Sequence, residues 1–154
     1  MATFGAGCFW GTEAAFRQLP GVIRTSVGYM GGHFEKPSYL DVLSRITGHA
    51  EVAQVEYDPA QISYETLLEK FWEIHDPTSL NRQGADRGEQ YRSVIFYHTL
   101  EQGAISRRSK AELDASERYS KPIVTQIQPA TDYWPATEEH QQYFEKKALR
   151  QEHG

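Results

Sequence analysis

The sequence predicts a two-layer α+β sandwich folded as one domain, and three observations carry that prediction. Short β-prone runs and stretches of helical periodicity follow one another in the order β-α-β-β-α-β-α-β-α. Breaks containing glycine or proline separate them, and two strands succeed each other without a helix between, so the sheet is mixed and includes antiparallel pairs. No repeat, low-complexity tract or shift in composition marks a linker, so residues 1–154 form a single domain.

Residues 2–7 read as a strand ending in glycines, and residues 9–18 as a helix supplied by Phe9, Ala14 and Phe16 and stopped before Pro20-Gly21. Cys8 falls in the turn between them. Residues 22–30 form the next strand, closed by Gly31-Gly32, and the loop that follows, with Pro37, is longer than packing alone requires. Residues 49–57 alternate: Glu51, Ala53, Val55 and Tyr57 share one face while Val52, Gln54 and Glu56 share the other, which puts Glu51 on the more apolar side. Ser63 N-caps a helix carrying Leu67, Leu68, Phe71 and Ile74, and Pro77 enforces its end. Residues 79–90 are polar and contain glycine, hence a loop, and they deliver the chain into a β-prone run from Tyr91 to His98. Thr99 and Gln102 have the spacing of a capping box for a polar helix to about Arg118. Residues 123–128 supply a further strand and residues 137–149 a final helix.

Composition bounds the function. With 39% hydrophobic and 24% charged residues the chain builds an ordinary core, burying roughly two thirds of its unfolded surface without needing disulfides or a structural metal. Net charge of -5 argues against a nucleic-acid partner, which a basic face would attract. The N-terminus, MATFGAG, lacks the basic start and apolar run of a secretory signal, and no apolar stretch approaches membrane-spanning length. With one cysteine and no internal disulfide, a reducing, cytoplasmic home, no membrane association and a monomeric state are expected.

Spacing sets several chemistries aside. Trp10 occupies the last glycine position of a would-be G-x-G-x-x-G, so a dinucleotide site is not expected. The six histidines contain no i, i+4 pair and Cys8 has no second thiolate, so no metal site is expected either. Cys8 itself has two readings. A free cysteine is commonly a small, inert core residue. At the first turn of a helix, however, unpaired N–H groups and partial positive charge favour the thiolate, lowering a pKa near 8.5 by about a unit or more and making a nucleophile. Phe9 and Trp10 read as core aromatics unless the cysteine beside them is reactive.

GCFWGTE at 7–13 resembles the signature of the A-type peptide methionine sulfoxide reductases. KPSYLDV at 36–42, TGHAEVAQVEYDP at 47–59, HDPTSLNRQGADRGEQYRS at 75–93 and EEHQQYF at 138–144 are each similar to segments of that family, in the family's order. The resemblance implies a two-layer domain related to the ferredoxin-like plait, with extra helices and long loops. It also implies reduction of the S epimer of methionine sulfoxide, in proteins and as the free amino acid, through a Cys8 sulfenic acid.

The same resemblance assigns roles that the chemistry requires. Phe9 and Trp10 match the apolar pocket for the S-methyl group, and Tyr39 and Tyr91 the phenols that donate to the sulfoxide oxygen. Glu51 matches the acid; on an apolar face its pKa rises and it can donate a proton. Asp86 matches an aspartate near the site and is expected to orient Tyr91 or a water. Glu13 reads as a solvated or helix-supporting charge, and His49 as either a packed ring or a support for Glu51. No bound cofactor is implied. Many relatives carry resolving cysteines, but KKALRQEHG and VLSRIT contain none, so regeneration falls to an external thiol: thioredoxin, glutaredoxin with glutathione, or a small dithiol. Two other classes fit Cys8 less well: an acyl hydrolase pairing it with His49 or His75, and a sulfoxide-binding module without catalysis.

Overall fold

The computed structural model describes residues 1–43 and 47–153; residues 44–46, inside VLSRIT, and Gly154 lie outside the described residues. The chain runs β1 (Ala2–Ala6), α1 (Phe9–Arg17), β2 (Val22–Met30), α2 (Tyr39–Leu43), β3 (Ala50–Tyr57), α3 (Tyr64–Glu73), β4 (Arg82–Gln83), β5 (Asp86–Arg87), β6 (Ser93–Tyr97), α4 (Leu100–Ala115), β7 (Gln126–Pro129), β8 (Trp134–Pro135) and α5 (Tyr143–His153). Six strands form one sheet in the order β7-β6-β1-β3-β2-β8, and β4 and β5 form a separate ribbon. All pairs are antiparallel except β6–β7. The fold is mixed α/β with a largely sheet core, as its sequence pattern predicts.

Alternation decides which strand residues meet the helices. Phe4 of β1, Val55 of β3 and Ile95 of β6 pack with Phe16 of α1 and Leu67, Leu68 and Phe71 of α3. The Phe4 ring stacks on Phe16 at 5.0 Å and on Phe71 at 5.3 Å. On the other face Met30, Ala50, Val52, Val94 and Phe96 are covered by Ala130 and Tyr133 rather than by a helix. Capping fixes the helix starts: Ser63 Oγ accepts the Thr66 N–H, and Thr99 Oγ1 accepts the Gln102 N–H. The Gln102 side chain reaches back to the His98 N–H, one residue earlier than a reciprocal capping box would place it.

The structure adds to the predicted element order. Within the loop after β2, Ser38 and Asp41 bond each other's backbone N–H and start the short α2. Tyr91 is not on a strand: it ends a single 3-10 turn, Glu89–Tyr91, which begins at Gly88 with φ 136, and β6 starts only at Ser93. The strand predicted over 123–128 pairs only from Gln126. The last helix is broken, because Gln142 has φ +49; a 3-10 turn, Glu138–His140, precedes α5. β8 went unread because two residues ending in proline carry no strand periodicity.

Candidate active site

The turn that presents Cys8 depends on glycine. Gly7 has φ +96, a conformation that side chains rarely adopt, and a Cβ there would lie 2.9 Å from Cβ of Gln83 on the β4–β5 ribbon. Cys8 caps the N-terminus of α1 and is half-buried. The backbone N–H groups of Trp10 and Gly11 favour its thiolate, but burial outweighs them and the negative charges of Glu51 and Asp86 add to it. The thiol is pushed up to about 11. This overturns the lowering expected from the helix start alone, since the pull of two N–H groups is smaller than the cost of ionising a desolvated sulfur near two carboxyls.

Glu51 lies next to it. Its side chain is 1% exposed, and Oε1 accepts the Phe9 N–H at 3.2 Å. Burial pushes the carboxyl up to about 8, with the Phe9 N–H opposing and the Asp86 charge reinforcing, so at neutral pH the group is protonated. With Oε1 accepting, the proton resides on Oε2, which has no hydrogen-bond partner. Directly opposite in the β2–β3 register is Tyr29, whose buried hydroxyl also lacks a partner and whose pKa is raised by burial and by Glu51. Sequence reasoning missed Tyr29. Its alternation with Val27 marks one face of β2, but only the strand register sets it against Glu51.

Aromatic rings wall the opposite side. Phe9 packs on Tyr29 at 5.6 Å and on Tyr39 at 6.4 Å. The Trp10 indole stacks on Tyr143 at 3.9 Å, and its N–H donates to Nδ1 of His140 at 3.1 Å. His140 lies 4.5 Å from the Tyr39 ring, and burial lowers its pKa, consistent with a neutral ring that can accept. His140 and Tyr143 sit in the EEHQQYF segment; the motif was visible, but nothing in it said which of its residues would reach Trp10. Tyr91 is buried, and its pKa is raised by burial and then by Glu51. Asp86 is exposed on β5 and no hydrogen bond joins it to Tyr91; it acts on the site through its charge, which is felt at Cys8, Glu51, Tyr39 and Tyr91. The structure thus brings Cys8, Phe9, Trp10, Tyr39, Glu51 and Tyr91 together, with Asp86 at the rim.

Other candidate residues have different work. His49 accepts the Gly32 N–H on Nδ1 and bonds the Phe34 carbonyl through Nε2, so it holds that turn and not Glu51. His75 is tied to the Phe71 carbonyl and the Ser93 hydroxyl, and neither histidine bonds Cys8. Glu13 is not solvated: it is 1% exposed and hydrogen-bonded to Thr25 and Gln142. Among the described residues no group of three His, Cys, Asp or Glu side chains is placed to hold a metal, and no helix is long and apolar enough to cross a membrane.

The chain is similar to known proteins along nearly its whole length. Peptide methionine sulfoxide reductase MsrA 1 of Nostoc sp. is 66% identical over 149 residues, covering 97% of this chain and 91% of that protein. The reduced form of Mxr1 from Saccharomyces cerevisiae superposes with a TM-score of 0.89 at 36% identity, covering 96% of this chain and 84% of that one. Mxr1 in complex with Trx2 aligns with a TM-score of 0.54 at 26% identity, covering 92% and 82%. Residues 1–153 match the family described as peptide methionine sulfoxide reductase, and the chain belongs to that family.

Proposed function

We propose that the residues around Cys8 carry out the family's reaction by moving the sulfoxide oxygen onto the cysteine sulfur, with Glu51 as the acid. The chain is an oxidoreductase that reduces methionine (S)-sulfoxide to methionine with thiols and without a prosthetic group. The observation that carries the assignment of roles is Glu51: a buried, protonated carboxyl held on the Phe9 N–H, with its second oxygen unpartnered and its charge felt at Cys8.

In this reading Phe9 and Trp10 take the S-methyl group, a contact worth on the order of one kcal/mol, while Tyr39 and Tyr91 donate to the oxygen. Glu51 gives its proton to that oxygen, which makes the sulfur electrophilic. Cys8 attacks that sulfur and forms an S–S bond as its thiol proton passes to the Glu51 carboxylate; the protonated oxygen then migrates to the Cys8 sulfur as the methionine S–O bond and the transient S–S bond break. Methionine leaves reduced by two electrons, and Cys8 keeps the oxygen as sulfenic acid. One external thiol then displaces water to form a mixed disulfide, and a second thiol frees Cys8. Thioredoxin is the reductant that the Mxr1–Trx2 complex supports; glutaredoxin with glutathione or a small dithiol satisfies the same balance. Burial keeps Glu51 protonated, and the charge of Asp86 adds to it.

The finer parts of the reading have their own support. The antiparallel order β6-β1-β3-β2, threaded as β-α-β-β-α-β, supports kinship with the ferredoxin-like plait. A lone thiol supports a reducing, cytoplasmic location, and a net charge of -5 supports a monomer free of nucleic acid; fractionation and light scattering test these. Hydrolysis by a Cys8–histidine pair is disfavoured, because His49 and His75 are engaged elsewhere.

The test uses both sulfoxide epimers of N-acetyl-methionine with dithiothreitol, following methionine release. Turnover of the S epimer alone, abolished in Cys8→Ser, is expected. Equal reduction of both epimers, or an undiminished rate in Cys8→Ser, would sink the assignment.

A further inference from the structure

Glu13 lies one helical turn beyond Trp10 on α1, is 1% exposed, and takes no part in the reduction. Its carboxylate is occupied by β2 and the C-terminal segment. Oε1 accepts the Gln142 backbone N–H at 2.8 Å, and Oε2 accepts the Gln142 side-chain amide at 2.8 Å and the Thr25 hydroxyl at 2.8 Å. Gln142 is the joint between the Glu138–His140 turn and α5, and its φ of +49 is disfavoured for any residue with a Cβ. The residues flanking the joint are those that clamp the Trp10 indole, His140 by a hydrogen bond and Tyr143 by stacking. Gln141 ties its own residue to Val27 and Ala136, so the left-handed joint itself is held by the two Glu13 bonds and by one longer bond from the Gln142 amide to the Thr25 carbonyl at 3.3 Å.

We infer that Glu13 is a positioning residue for the S-methyl pocket: by holding Gln142 in its left-handed turn, it keeps His140 and Tyr143 on the two sides of Trp10. Glu13 touches neither Cys8 nor the substrate. A buried carboxylate met by three donors is costly to break, because removing it leaves those donors unpaired and frees the joint. The inference rests on the reading of Trp10 as a wall of that pocket.

The experiment compares S epimers of methionine sulfoxide and its S-ethyl analogue under steady-state and single-turnover conditions. For Glu13→Ala, KM for the methyl substrate is expected to rise about tenfold and the methyl-over-ethyl preference to shrink by a similar factor, with the single-turnover rate within about threefold of wild type. Glu13→Gln keeps one acceptor and should show about a threefold change in the same direction. Thr25→Val, which removes a single donor, carries the same readout if Glu13→Ala does not fold. Ser63→Ala, which removes the N-cap bond to Thr66 that starts α3, should leave both quantities unchanged. Unaltered KM and preference in folded Glu13→Gln and Thr25→Val would overturn the inference, as would equal changes in Ser63→Ala. Trp10→Ala separates the two layers: if it leaves the preference intact the pocket reading fails and this inference with it, whereas if it abolishes the preference while the Glu13 variants do not, only the role of Glu13 fails.

Discussion

Glu51 helps to hold the proton of Cys8, while burial holds that of Glu51. At neutral pH the carboxyl, pushed up to about 8, and the thiol, pushed up to about 11, both hold theirs, so the resting site carries two protons and no charge. If the doubly protonated form reacts, the single-turnover rate is level from pH 6 to 7 and falls as pH rises through about 8. A rate that instead climbs from pH 6 to 9 would mean that a preformed thiolate limits the reaction, and stopped-flow measurement distinguishes the two. For Glu51→Gln, loss of general acid catalysis is expected to lower kcat by about 10²–10⁴ with little change in KM. Tyr29→Phe tests whether the unpartnered hydroxyl facing Glu51 matters: a shifted pH profile at wild-type stability is expected, since the ring remains and only the oxygen is lost.

Single elements matter here through the turns that join them. The β1–α1 turn needs Gly7 because its backbone adopts φ +96 and because the β4–β5 ribbon packs against it. Gly7→Ala is expected to cost about 1–3 kcal/mol and to reduce kcat/KM as well, because the strain is relieved by moving Cys8 or the ribbon that carries Asp86. Urea unfolding alongside steady-state kinetics checks both. Ser63→Ala provides the contrast: the α3 N-cap is worth about 1 kcal/mol, so stability falls and activity per folded molecule does not. The α3 and α4 starts were legible because capping chemistry is local. The Tyr91 turn and the broken last helix were not, because positive φ at Gly88 and Gln142 is imposed by packing from elsewhere in the fold.

Across the whole molecule the buried titratable groups bend stability with pH. Glu51 has a folded pKa raised from 4.5 to about 8, so the folded state binds the extra proton between those values and stability falls as pH rises through that window. His75 has a folded pKa lowered from 6.5 to about 4 by burial, so stability falls as pH drops through that range. The two slopes oppose each other between about 4.5 and 6.5, and Glu51 alone acts from there to about 8. Melting temperature is therefore expected to decline from pH 6.5 to 8 in the wild type and to decline less in Glu51→Gln. An identical decline in both would show that Glu51 is not held protonated by the fold.

The sequence by itself determined the run of strands and helices around β1–α1–β2–β3–α3–β6, the position of Cys8 at a helix start and the side of β3 that Glu51 occupies. Each of these follows from periodicity and caps spanning a few neighbouring residues. The tertiary structure alone decided that the thiol is raised rather than lowered, that Tyr29 faces Glu51, and that Glu13 is buried beneath a left-handed joint 129 residues away in the chain. Desolvation, strand register and long-range hydrogen bonds are set by what the rest of the chain packs against a residue. No window of neighbouring sequence contains that information.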